Sequence, residues 1–175
     1  MADQDPNNPA PEGPAEAAAD TPQASTIAQY IKDLSAESPS APQVFQWQEQ
    51  PSLDVQFGLD GGKIADDVHE VVLKIVVNAK SDKGTHFIVD LSYAGLFGFR
   101  NISEDSLAPF LLVEAPRLLF PFARQVVAEA VQNLGFPPLL LDPIDFGAAY
   151  MAQLEAQQQA AGQAGGDGEP PVGHA

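Results

Sequence analysis

Hydrophobic and polar positions change period along the chain. Leu53, Val55 and Phe57 alternate with Asp54 and Gln56, the two-residue period of a strand with one apolar face. Asp60-Gly-Gly62 predicts a turn after it. Val68 to Ala79 (VHEVVLKIVVNA) is β-branched and mostly apolar, which predicts a strand buried more completely than its neighbours. Ser81-Asp-Lys-Gly84 predicts a second turn, and Thr85 to Tyr93 (THFIVDLSY) a third strand, with Leu96 to Phe99 apolar after Gly95. Turns this short join antiparallel neighbours, because a parallel crossover needs about a dozen residues. The expected sheet is a meander.

Two flanking segments are less decided. Thr26 to Leu34 (TIAQYIKDL) fits a helix or a loose strand, and Pro39 with Pro42 predicts an extended connection. After Arg100 the period lengthens. Ser103 is placed to cap a helix reaching about Val113, with Glu104 and Asp105 in its first turn. Pro116 opens a longer helix with Leu119, Phe122, Val126, Ala130 and Leu134 as its apolar stripe and Gly135 as its stop. Pro121 falls in its second turn. Phe136 to Pro143 is too proline-rich for helix, and Asp145 is placed to cap a last helix through Tyr150 and Leu154. Strands first and helices after make this an α+β chain.

Composition sets the limits of that fold. All 14 aromatic residues fall between Tyr30 and Tyr150, so the expected domain spans 26–154. Residues 1–25 (Ala, Pro, Asp, Glu) and 155–175 (Gln, Ala, Gly) read as disordered tails. The net charge is −16, and half of it lies outside the middle, because residues 26–150 hold 16 acids against all 8 bases. Such acidity argues against nucleic acid and anionic membranes as partners. Zero cysteines exclude disulfides, thiolate zinc sites and Cys nucleophiles. No continuous apolar run approaches the roughly 18 residues of a span, and the N-terminus lacks the basic and apolar parts of a secretory signal. A soluble cytoplasmic protein without membrane insertion is expected.

Catalytic equipment is sparse. Asp66-Asp67-Val68-His69-Glu70 is the best cluster, but Asp67 and His69 would share one strand face and Glu70 the other. A metal needs three convergent ligands, and His69-Glu70-Val-Val lacks the second His of a zinc helix. The bland reading puts the two Asp residues in a turn and His69 on an exposed face. His86 is isolated, and no phosphate loop or GxSxG serine is present. Neither a catalytic site, a metal nor a cofactor is expected; the residues describe an acidic α+β binding module.

Several segments, in order, carry a resemblance. Ile64-Ala-Asp-Asp-Val-His-Glu-Val-Val-Leu73, Tyr93-Ala-Gly-Leu-Phe97, Leu118-Leu-Phe-Pro-Phe-Ala-Arg124 and Gly135 to Phe146 (GFPPLLLDPIDF) resemble the SecB family of bacterial protein-export chaperones. The likeness covers about residues 27 to 152. Ala115, where members often have cysteine, and Asp145-Phe-Gly147, in place of Asn-Phe-Asp, depart from it.

The resemblance implies a four-stranded antiparallel sheet backed by helices, in a homotetramer built as a dimer of dimers. It implies an ATP-independent holdase that keeps unfolded precursor proteins export-competent and hands them to the ATPase SecA. The implied client groove takes in Phe45, Trp47, Leu53, Val55 and Phe57, with Tyr93 and Phe97 as further candidates; core or oligomer packing is the competing reading for all of them. The implied SecA-docking positions are Asp33, Glu37, Ile88 and Asp90, meeting a basic, zinc-holding tail whose metal belongs to the partner. An alternative with the same fold is a generic or toxin–antitoxin chaperone with one dedicated client.

Overall fold

In the computed structural model, residues 21–164 are described, 160–164 as backbone only. Four strands, β1 (Gln23–Glu37), β2 (Ser52–Ala65), β3 (Val68–Ser81) and β4 (Gly84–Arg100), precede the helices α1 (Glu104–Pro109), α2 (Ala115–Asn133) and α3 (Phe146–Ala164). All strand pairs are antiparallel, in the order β1-β4-β3-β2. This is the expected α+β architecture. The meander holds for β2 to β4, but β1 crosses to the far edge beside β4.

Several local expectations change. Thr26–Leu34 is strand, because β1 gains a whole ladder from β4 that its own sequence cannot advertise. Residues 39–42 form turns followed by a short 3-10 helix, Gln43–Gln46, so the connection is not extended. Asp60-Gly-Gly62 lies inside β2, and the reversal comes at Asp66-Asp67. Gly61 is needed there: its φ is +146°, and a Cβ would run into the Glu70 backbone carbonyl on β3. Elements also run past the expected domain limits: β1 begins at Gln23 and α3 continues to Ala164. The remaining tail residues, 1–20 and 165–175, lie outside the described residues.

Helices α1 and α2 join without a break through a π-helical turn, Phe110–Glu114, where two helices were expected. Pro109, Pro116 and Pro121 each remove a backbone donor, and the π turn accommodates the interrupted ladder. Glu104–Asn133 is long and apolar enough to cross a membrane by length and composition, yet Leu119, Ala123, Val127 and Val131 are fully buried against the sheet. The expected stripe is therefore rotated: Leu119 and Ala130 stay on it, whereas Phe122 is half exposed. Gly135 ends α2 with φ +90°, as its position predicted. Asp145 caps α3, accepting the Ala148 N–H at 2.9 Å. Ser103 precedes α1, but its hydroxyl donates to Ser106 Oγ (3.0 Å) rather than capping an N–H.

The core lies between sheet and helices. Odd-numbered residues of β3 and β4 point into it: Leu73, Ile75 and Val77 pair with Tyr93, Leu91 and Val89, and most are wholly buried. Even-numbered residues point to the other, open face, except His86, which the register shift beside Lys80 leaves buried against Trp47 and Phe136.

Candidate functional site

Strand alternation gives each edge strand two different surfaces. On β2, Leu53, Val55, Phe57 and Leu59 stand opposite Ala79, Val77, Ile75 and Leu73, so they face the helix side. Because β2 is an edge strand that α2 meets at its margin, with the Phe120 ring 6.3 Å from Phe57, this row is only partly covered. Leu53 is 47% and Phe57 43% exposed; Val55 is half-buried against the core.

Clefts follow that row. The first, about 450 Å³, is bounded by Phe45, Trp47, Leu53, Phe87, Phe136 and Leu139. Its walls are aromatic pairs: Phe45 lies 5.5 Å from Phe136, and Trp47 meets His86 edge-on at 5.0 Å. His86 is buried, with Nε2 3.0 Å from Ser81 Oγ. Lys83 ties the β3–β4 turn to Glu49 at 3.2 Å, holding the β1–β2 loop over this end. A second cleft, about 290 Å³, lies between Phe57 and Leu59 on β2 and Ile144, Phe146 and Tyr150 around the start of α3. A third continues it past Leu59 to Gly61, Leu111 and Leu112. The lining is mainly apolar, with polar residues such as Gln48, Glu49 and Gln50 at its rim, so it suits mixed apolar side chains better than one defined ligand.

Tyr93 and Phe97 are not in these clefts. Phe97 is wholly buried and packs edge-on against Phe110 at 5.7 Å; Tyr93 is 8% exposed. Both lie on the helix side of the central strand β4, where α2 covers them, so they are core residues rather than groove candidates. Phe45, Trp47, Leu53 and Phe57 do line clefts, and Val55 sits between them as packing. Sequence reasoning missed Leu59, because Asp60-Gly-Gly62 was read as the end of the strand; the alternation itself continues to it. It also missed Phe136, Leu139 and Ile144, whose apolar linker had no periodicity to read.

The open face carries the charge. Glu37 stands opposite Ile88, Ser35 opposite Asp90, and Asp33 opposite Ser92, so Asp33, Glu37, Ile88 and Asp90 all project from one surface of β1 and β4. Asp90 is diagonal to both other carboxylates, a spacing of about 7–8 Å in such ladders. None of the three acids has an ion-pair partner among the described residues. Two other acids on this face are neutralised, whereas Asp54 on β2 accepts from Gln56 Nε2 at 3.0 Å and has no ion-pair partner among the described residues. Lys74 binds Asp60 at 3.1 Å, and Lys32 binds Glu70 at 2.6 Å. The Lys32 ammonium, and then the Tyr30 hydroxyl donating to the other oxygen, hold Glu70 below the ordinary carboxylate range. That same hydrogen bond pushes the Tyr30 hydroxyl up. The Gly61 N–H, followed by Lys74, lowers Asp60.

The Asp67-His69-Glu70 cluster comes apart. Asp67 is in the turn, Glu70 is on the open face, and His69 is half-buried on the helix side rather than exposed. Its ring meets Phe99 edge-on at 5.4 Å, with Nδ1 buried and without a hydrogen-bond partner.

Comparison with known proteins agrees with this geometry. Residues 17–158 match the family described as SecB, preprotein translocase subunit SecB. The "Protein-export protein SecB" of Sphingopyxis alaskensis is 57% identical over 149 residues, covering 85% of this chain and 84% of that one. The protein of the same name from Erythrobacter litoralis is 54% identical over 155 residues, covering 88% and 86%. Among solved structures, a Mycobacterium tuberculosis SecB-like chaperone in complex with a ChAD peptide from the HigA1 antitoxin superposes with a TM-score of 0.57 at 19% identity, covering 69% of this chain and 90% of that one. With most of its length matched at such identities, and with the sheet-and-helix fold in common, this chain belongs to the SecB family of protein-export chaperones.

Proposed function

We propose that this protein is an ATP-independent holdase that captures unfolded precursor proteins in the groove along β2 and delivers them to SecA from its open, acidic sheet face. The observation that carries the reading is the uncovered apolar row Leu53, Phe57 and Leu59, flanked by aromatic clefts at both ends. An unfolded client offers mixed apolar side chains, and a long groove of weak subsites holds it through many small contacts. Neither nucleotide nor a catalysed reaction has a part in that holding. The unpaired carboxylates Asp33, Glu37 and Asp90 around Ile88 suit a basic partner surface, and SecA is the partner that family membership suggests.

The working unit is a homotetramer in the cytoplasm. Leu118 and Phe122 on the outward side of α2, and Ile27, Ile31 and Leu34 on the edge strand β1, are apolar surface that further copies would cover. Light scattering should give a mass near four times 18.5 kDa; a monomer at micromolar concentration contradicts the assembly. The chaperone itself is tested by diluting a denatured precursor into buffer with and without the protein. Aggregation should fall at one tetramer per client, and unaltered aggregation would refute client capture. The antitoxin peptide in the mycobacterial structure belongs to a chain only 19% identical, so it supports the fold and does not favour a dedicated antitoxin client here.

A further inference from the structure

Lys32 and Asp33 are consecutive, so in a regular strand they would point to opposite faces. Here the pairing skips a residue between Ile31, opposite Tyr93, and Asp33, opposite Ser92. Lys32 is the extra residue of a β-bulge, and both side chains come to the open face. The fold thereby sets a cation beside the acids Asp33 and Asp90, which a flexible Lys side chain could neutralise.

It does not, because Lys32 is held elsewhere. Its ammonium crosses the neighbouring strand β4 to Glu70 on β3, 2.6 Å away, and the Tyr30 hydroxyl secures the other oxygen of the same carboxylate. The path is open because Ala94, which lies between Tyr30 and Val72 across the three strands, is small and fully buried. Glu70 is itself largely covered, with 11% of its side chain exposed, so it is a better-fixed partner than the exposed carboxylates nearby. We propose that Glu70 is a positioning residue for the docking face: it draws Lys32 away from the acidic patch, leaving Asp33 and Asp90 free for a basic partner. This inference rests on the SecA-docking reading above.

The test measures SecA affinity for the full chain and three variants: Glu70→Gln, Lys32→Met and the double substitution. Glu70→Gln keeps a hydrogen-bond acceptor for Tyr30 and releases Lys32, so binding should weaken about three- to tenfold, the scale of one exposed charge pair or slightly more. Adding Lys32→Met should restore parental affinity, a rescue that simple damage to the sheet would not produce. Lys32→Met alone should bind SecA at least as well as the parent, and suppression of client aggregation should be the same in all four proteins. Parental binding by Glu70→Gln, or no rescue in the double variant, overturns the proposal. If Glu70→Gln does not fold, Lys32→Met decides: lost affinity would make Lys32 a docking residue and refute its sequestration. Asp90→Lys separates the two levels. If it weakens SecA binding while Glu70→Gln does not, docking stands and the role of Glu70 falls; if Asp90→Lys binds as the parent does, the docking reading fails and this inference with it.

Discussion

The two sides of one sheet differ in how they are finished. On the helix side the central strands are sealed by α2, while both margins stay uncovered: β2, where apolar clefts form, and β1, where Ile31 and Leu34 are exposed. On the open side no helix packs among the described residues, and the surface is charged, partly neutralised by Lys32 and Lys74 and partly left acidic, as at Asp33, Glu37 and Asp90. Alternate residues of the same strands build both surfaces. A single register therefore determines both, and a one-residue slip would exchange them. Two surfaces of opposite character share one sheet only because the pleat keeps them apart.

Four expected outcomes would sharpen or break that contrast. The largest concerns the sealed centre. Phe97→Ala should destabilise the fold by about 3–5 kcal/mol, read as a lowered thermal midpoint, because it empties a wholly buried site. Unchanged stability with weakened client capture would return Phe97 to the groove. Next comes the uncovered margin. Leu53→Ala with Phe57→Ala should weaken capture of an unfolded precursor about tenfold or more, since well-placed apolar anchors are worth about 1 kcal/mol or more each. The tetramer should persist on light scattering; its dissociation would identify the row as an assembly surface. Val55 is best left intact in that test, because it packs against the core.

On the open face, Asp90→Lys should lower SecA affinity about tenfold and leave client capture alone, with the loss shrinking at high salt. Equal SecA affinity at all salt concentrations would remove this face from docking. The smallest effect is a pH dependence. Glu70 has a lowered pKa in the fold, so its stabilisation is present above its unfolded value of about 4.3 and lost as pH falls through the folded value. The stability advantage of the parent over Glu70→Gln, about 1 kcal/mol or less for so exposed a cation, should thus exist at pH 7 and vanish in strong acid. Denaturant unfolding at pH 7 and in strong acid checks it, and a gap that persists once Glu70 is protonated in both states would show that the pairing with Lys32 is not its source.

Legibility in the sequence followed the range of the interactions. Strands β3 and β4, the stop at Gly135 and the cap at Asp145 were readable because each depends on neighbours a few residues away. The strand nature of Thr26–Leu34 was not, because its ladder partner lies some 60 positions downstream and two bulges break its alternation. The α2 stripe was misplaced by about one position because Leu118-Leu-Phe-Pro-Phe-Ala123 is apolar on every side, so periodicity could not say which face would meet the sheet. For the site, alternation identified Leu53 and Phe57 as one row, and resemblance supplied Asp33, Glu37, Ile88 and Asp90. What it could not show was that Tyr93 and Phe97, equally apolar, fall under a helix.

The sequence by itself determined the class of the protein: an acidic, cysteine-free α+β chain whose strands each carry one apolar face, and whose ordered motifs resemble a known chaperone family. These properties are local, since residue type and spacing establish pleat, turns and caps directly. Tertiary structure alone decided which apolar residues are sealed and which remain open, because that depends on where α2 lies across the sheet. It also decided which acids stay free. Lys32 is one residue from Asp33 in the chain, yet its charge is spent on Glu70, two strands away.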